Sequence, residues 1–245
     1  MASTSETGHA KNVANFEDLI SFCTGYGASY NPNKASIKLP ALNTLFTSAK
    51  NSLDTLTAAA PAYTNAVNAR EIAFEPLSRL VTRIINSLDS SDVPAQTVAD
   101  AKSYARKIQG KRAKPKQQDD PNTPEDESQN SISASQMSYD NRIFNFNKLI
   151  QLLAAQPAYA PNEVDLTTVS LTALYTSLNT LNTTVVNTFT PISNARIARG
   201  TMLYTQTTGL VDIAADVKKY VKSVFGATSP QYKQISGIKF KRPKS

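Results

Sequence analysis

The chain has no tryptophan, one cysteine, one histidine and eight glycines among its 245 residues. Each scarcity excludes something. Cys23, alone, cannot form an intramolecular disulfide and suits a reducing compartment. His9 lies in the polar opening MASTSETGHAKN. A single histidine removes Ser-His-Asp and Cys-His catalysis and any multi-histidine metal site. Few glycines beside many alanines favour helix over a turn-rich sheet. The opening has no basic region followed by an apolar stretch, so no secretory signal is expected, although a mature chain that had lost one would look similar. No apolar run reaches the roughly 18 residues of a membrane span. The expected location is the cytoplasm.

What is present is a repeat. NFEDLI at 15–20 is answered by NFNKLI at 145–150, and Tyr30-Asn31-Pro32-Asn33 by Tyr159-Ala160-Pro161-Asn162. Leu42, Leu45 and Phe46 meet Leu171, Leu174 and Tyr175, Pro61 meets Pro191, and Leu80-Val81 meets Leu210-Val211. Matches in order at offsets of 129–130 point to a tandem duplication. The expected organisation is a disordered N-terminus at 1–12, a first helical repeat at 13–112, a disordered acidic linker at 113–140, and a second helical repeat with a basic C-terminal tail at 141–242.

Within each copy the apolar spacing is helical. Phe16, Leu19, Ile20 and Cys23 form the first stripe, with Asn15 placed to cap it. Leu42, Leu45, Phe46, Ala49, Leu53 and Leu56 form a second, with Pro40 at a first-turn position. A third runs from Ala66 through Ile72 to Leu88, with Pro76 expected to kink or split it. A fourth follows Pro94 with Val98, Ala101, Ala105 and Ile108. The second copy repeats this with Ile143, Phe146, Leu149, Ile150 and Leu153, then Leu171 to Val185, then Ile192 to Val224. Gly209 recurs near the place of Pro76, and the fourth helix shrinks to a turn around SPQYKQI. The fold class is all-α: two antiparallel helical bundles, which could pack into one pseudo-symmetric body.

Chemistry is sparse. Gly25-Tyr26-Gly27 lacks the strand and third glycine of a nucleotide loop and is read as an interhelical loop. Glu71 and Glu75 are one turn apart without a Glu-x-x-His partner, so they read as a solvated face. Cys23 occupies an apolar helix position and reads as core. Asn182-Thr183-Thr184 matches a glycosylation sequon but lies mid-helix. No catalytic residue, cofactor or metal site is assigned, and the chain is not expected to be an enzyme.

The remaining signal is basic. Residues 1–118 carry 14 Lys/Arg against 9 Asp/Glu, residues 119–140 none against 6, and residues 141–245 carry 12 against 4. Arg106, Lys107, Lys111, Arg112, Lys114 and Lys116 close the first copy, and Lys239, Lys241, Arg242 and Lys244 the second, with Phe240 among them. Lys218, Lys219 and Lys222 add a basic helix face. These residues are candidates for neutralising phosphates. They equally complement helix C-termini and keep the surface soluble, and no helix-turn-helix, zinc module or aromatic RNA-binding strand accompanies them. Asn68-Ala69-Arg70 recurs as Asn194-Ala195-Arg196, with Arg199 following. These arginines could pair within the bundle or reach a partner's surface.

The segments SISASQMSYDNR (131–142), SNARIAR (193–199) and TSPQYKQISGIKF (228–240) resemble a family of uncharacterised helical proteins of the Bacteroidota. The resemblance implies a bacterial, soluble, helical protein and carries no activity, cofactor or catalytic residue. The expected role is a non-catalytic helical scaffold or binding protein, or the subunit of an assembly, with a protein partner or self-association. The alternative is sequence-independent nucleic-acid binding through the basic tails.

Overall fold

A computed structural model describes residues 8–111 and 137–243. Every regular element among them is helical. The first helix, α1, spans His9–Gly25 and buries Val13, Phe16, Leu19, Ile20 and Cys23 on the expected stripe. Two short 3-10 turns, Gly27–Ser29 and Ala35–Ile37, lead into α2, Leu39–Phe74. Helix α3 spans Leu77–Asp89 and α4 spans Ala95–Gln109. Helix α5 covers Tyr139–Ala154, and a 3-10 turn at Val164–Leu166 precedes α6, Thr168–Tyr204. Helix α7, Leu210–Phe225, and the short α8, Pro230–Ser236, complete the chain.

Local chemistry places most ends. Pro76 precedes α3 and cannot donate to a preceding turn, so α2 stops at Phe74. Pro94 opens α4, and Gly110 closes it in the left-handed region at φ 69°, with the Lys111 N–H reaching the Arg106 carbonyl at 2.9 Å. Ser138 and Ser229 cap α5 and α8, accepting from the Asn141 and Tyr232 N–H groups at 3.2 and 3.1 Å.

The expected turn between the second and third helices of each copy is absent. The second stripe and the front of the third lie on one 36-residue helix, α2, with Pro61 inside it, and α6 likewise runs through Pro191. A mid-helix proline costs about 3 kcal/mol. Pro61 is flanked by Ala58, Ala59, Ala60 and Ala62, the residue type that least resists helix.

The described chain forms two compact units. One comprises Met1–Tyr63 with Thr188–Ser245, the other Thr64–Asn187, so the division falls inside α2 and α6. These limits differ from those of the sequence copies. Each unit joins the front of one copy to the back of the other, because α2 and α6 continue where a turn would have folded each copy onto itself. The core of the first unit gathers Phe16, Leu19, Cys23, Leu42, Leu203, Leu210, Val217, Val221 and Ile235. That of the second gathers Leu77, Val81, Ile84, Leu88, Ile108, Phe146, Leu149, Leu153 and Leu171.

The same local contact recurs at the repeat offset. The Tyr30 hydroxyl donates to the Ile37 carbonyl at 2.6 Å, and the Tyr159 hydroxyl to the Leu166 carbonyl at 2.9 Å, both buried. Phe16 and Phe146 are each fully buried, and Asn15 and Asn145 are buried beside them.

Several expectations need correction. His9 belongs to α1, half-buried against Tyr204, rather than to a disordered tail. Asn15 lies inside α1 and is no cap. Residues 137–140 of the expected linker are described, and α5 starts at Tyr139; its acidic stretch lies outside the described residues. Ile72 and Val224, read as core, are exposed.

Candidate interface residues and the anchored basic tail

The C-terminal tail is built into the first unit. Asn12 and Asn15, three residues apart on α1 and both buried, face its main chain. Asn12 Nδ2 donates to the Lys241 carbonyl at 2.7 Å, and the Lys241 N–H donates to Asn12 Oδ1 at 3.0 Å. Asn15 Nδ2 donates to the Lys239 carbonyl at 2.7 Å. Residues 239 and 241 therefore turn their backbones inward and their exposed ammonium groups outward. Ile238 and Phe240, between them, pack against the core. Alternation of this kind is the period of an extended chain.

Two further cations fasten the tail. Lys218 donates to the Ile238 carbonyl and, at 3.3 Å, to the Ser236 carbonyl. Its ammonium stands 5.5 Å from the Phe240 ring centroid, and burial lowers its pKa. Arg242 donates to the Tyr204 carbonyl at 2.5 Å and to Asp212 Oδ1 at 2.6 Å. The Asp212 carboxyl sits below its usual range, held there first by the Thr207 N–H and then by Arg242. Arg242 is thus paired at the surface with groups of the same unit, while Lys239 and Lys241 project.

In the first copy, Arg106 and Lys107 lie in the last turn of α4, where cations complement the helix dipole. Arg106 is half-buried, and Lys107 and Lys111 are exposed. Arg112, Lys114, Lys116 and Lys244 lie outside the described residues.

The recurring Asn-Ala-Arg segments do not take equivalent roles. Their offset, 126, already departs from that of the repeat. Arg70 lies in the second unit, with its Cζ 3.8 Å from the Tyr139 ring centroid. Its Nη1 donates to Asn182 Oδ1 at 3.0 Å, and Asn182 Nδ2 donates to Asp140 Oδ1 at 2.7 Å. Tyr139 meets Phe74 edge-on at 4.8 Å, and Arg142 stands over the other ring, its Cζ 5.1 Å from the Phe74 centroid. Burial lowers the Arg142 pKa. The result is a stack of two guanidiniums and two rings that ties α2 to the start of α5. Arg196 is exposed, and Arg199 is half-buried with its Nε enclosed and unpartnered.

Sequence reasoning missed Asn12, Asn15 and Asn182. Asn182 carried a signal: it follows Leu178 at helical spacing, where an apolar residue belongs. Asn12 carried none and Asn15 only a misleading one, as a cap, because their partners lie 229 and 224 residues away.

The single histidine and the single cysteine both lie on α1. His9 Nδ1 and the Tyr204 hydroxyl share a hydrogen bond of 2.9 Å, and the pKa of His9 is lowered by burial and then by Arg199. Cys23 is fully buried, and burial pushes its thiol up to about 12. Among the described residues, no group of three or more His, Cys, Asp or Glu could hold a metal ion, and no helix is long and apolar enough to cross a membrane. No known protein family, curated protein or solved structure matches the chain.

Proposed function

We propose that the protein is a non-catalytic helical scaffold, working by protein–protein contact as the subunit of an assembly. The observation that carries this reading is the distribution of apolar residues on the long helices. Helix α6 buries Leu171, Leu178, Val185, Ile192 and Leu203, yet it also leaves Val169 and Ile197 exposed on other faces, and Phe189 partly exposed on the same one. Ile72 on α2 and Phe144 on α5 are 70% and 56% exposed. Covering a large apolar side chain is worth about 1.5–3 kcal/mol, so a few together reward a partner. The repeat supports the reading as well: a duplicated chain offers two similar surfaces and can bridge two neighbours. Cys23, buried and unreactive, fits residence in the cytoplasm.

Size-exclusion chromatography with light scattering, across salt and with and without duplex DNA, tests it. The expected result is a mass above the monomer that persists or grows as salt rises, because apolar association strengthens under such conditions. A monomer at every salt concentration overturns the assembly reading.

A second reading has one specific observation in its favour. Lys239 and Lys241 project side by side from a fixed backbone, as a phosphate-contacting pair would. Polyanion binding through them loses affinity steeply between low and physiological salt. In the same experiment it registers as a DNA-dependent shift that salt abolishes.

A further inference from the structure

The first unit holds a cleft of about 480 Å³. Its floor is apolar, made by Ala41 and Leu45 of α2 with Ile213 of α7. Its rim is polar, made by Lys34, Ser36, Thr207 and Thr208. An apolar floor with a few convergent polar groups is the usual character of a small-molecule site.

Three features of the rim point to an anion. Lys34 Nζ lies 2.5 Å from Asp216, whose second oxygen meets Lys219 at 3.3 Å. Two ammonium groups share one carboxylate, so this cluster carries a net positive charge, and Lys34, its member on the cleft, retains donors for another acceptor. The Ser36 hydroxyl is enclosed in the wall without a hydrogen-bond partner. Thr207 is the one non-glycine residue with positive φ, at 67°, among the described residues. A β-branched residue in that region is strained, and such strain concentrates at ligand clamps. The Asp212 carboxylate holds this turn through the Thr207 N–H at 2.8 Å, which sets Thr207 and Thr208 at the cleft.

The corresponding place in the other copy differs. Position 165, at the offset of 129 from Ser36, is an aspartate whose two oxygens are taken by Arg83. There an acid and its cation close on each other. At Ser36 a neutral hydroxyl stands instead, with no partner of its own.

We propose that this cleft binds a small organic monoanion, an apolar body of roughly six to ten carbons ending in a carboxylate. The carboxylate meets the Lys34 ammonium and the Thr208 hydroxyl, with the unpartnered Ser36 hydroxyl in the wall beside them. The body lies on Leu45 and Ile213. This binding does not depend on the assembly reading, since it is read out by ligand stoichiometry and not by mass.

Isothermal titration calorimetry of the full chain with sodium octanoate tests it, with octan-1-ol as the uncharged twin. Octanoate is expected to bind saturably at one site, with octanol at least about tenfold weaker because it lacks the charge-assisted bond. Lys34→Gln should lower octanoate affinity about tenfold and bring it near that of octanol. Thr208→Phe, at an exposed turn position, should block both ligands. If circular dichroism shows that variant unfolded, Ala41→Phe closes the cleft from the α2 side. No saturable octanoate binding by the unmodified chain overturns the proposal. So does octanol binding as tightly as octanoate, or full binding in a folded blocked variant.

Discussion

Asn12 reads the backbone of Lys241 on both sides of its Cα, donating to the carbonyl at 2.7 Å and accepting from the N–H at 3.0 Å. One side-chain amide on α1 thereby does for the C-terminal tail what a neighbouring strand would do. It joins residues 229 positions apart.

Asn12→Ala leaves a donor and an acceptor of the tail without partners. The expected loss is about 1–3 kcal/mol, measured as a lower urea midpoint. A second readout is local: trypsin should cut after Lys239 and Lys241 faster in the variant than in the parent protein under native conditions. An unchanged cleavage rate would show that Asn12 does not hold the tail.

Two glycines should respond oppositely to alanine. A Cβ at Gly209 would stand 2.7 Å from the backbone nitrogen and oxygen of Thr205, atoms that cannot swing aside. Gly209→Ala should cost about 1–3 kcal/mol, as overpacking does. Gly200 lies within α6 with open space around its Cβ position. Gly200→Ala should stabilise by about 0.5–1 kcal/mol, through helix propensity alone. Chemical denaturation of the pair gives both signs in one comparison.

Alkaline pH should destabilise the fold through its buried tyrosines. Burial raises the pKa of Tyr30, and it pushes Tyr159 up to about 12 with the nearby Ser87 hydroxyl partly opposing. A group raised on folding contributes stability that is complete below its unfolded pKa, about 10 for tyrosine. That contribution is lost as pH climbs through the folded value. Urea midpoints should therefore fall above about pH 10. Tyr159→Phe should shrink that fall while costing about 1–3 kcal/mol at neutral pH, because the Leu166 carbonyl loses its donor.

Arg70→Lys keeps the charge and discards the plane. The ammonium cannot both lie flat on Tyr139 and reach Asn182, so a loss of about 1–2 kcal/mol is expected. A double-mutant cycle with Asn182→Ala should show coupling of about 0.5–3 kcal/mol. Additive effects would mean that the two side chains do not act together.

How much of this was legible depends on the range of the interaction. Phe16, Leu19, Ile20 and Cys23 were read as one buried face, and they are, because helical periodicity is set within two turns. The stop before Pro76, the start after Pro94 and the short α8 were legible for the same reason. The continuation of α2 through Pro61 was not, since an apolar stripe looks the same whether a helix turns back or runs on. Asn15 looked like a cap because caps are local, whereas its partner lies 224 residues away.

By itself, the amino-acid sequence determined the all-helical class, most of the faces that bury, and the scarcity of histidine and cysteine. These follow from residue type and from spacing within a few turns. Tertiary structure alone decided that each unit joins the front of one copy to the back of the other. It also decided that the basic tail is anchored, with Arg242 drawn onto Asp212 while Lys239 and Lys241 stay outside. Those outcomes depend on which distant groups meet. A buried amide or guanidinium takes whichever partner the fold brings within about 3 Å, and local sequence does not encode that choice.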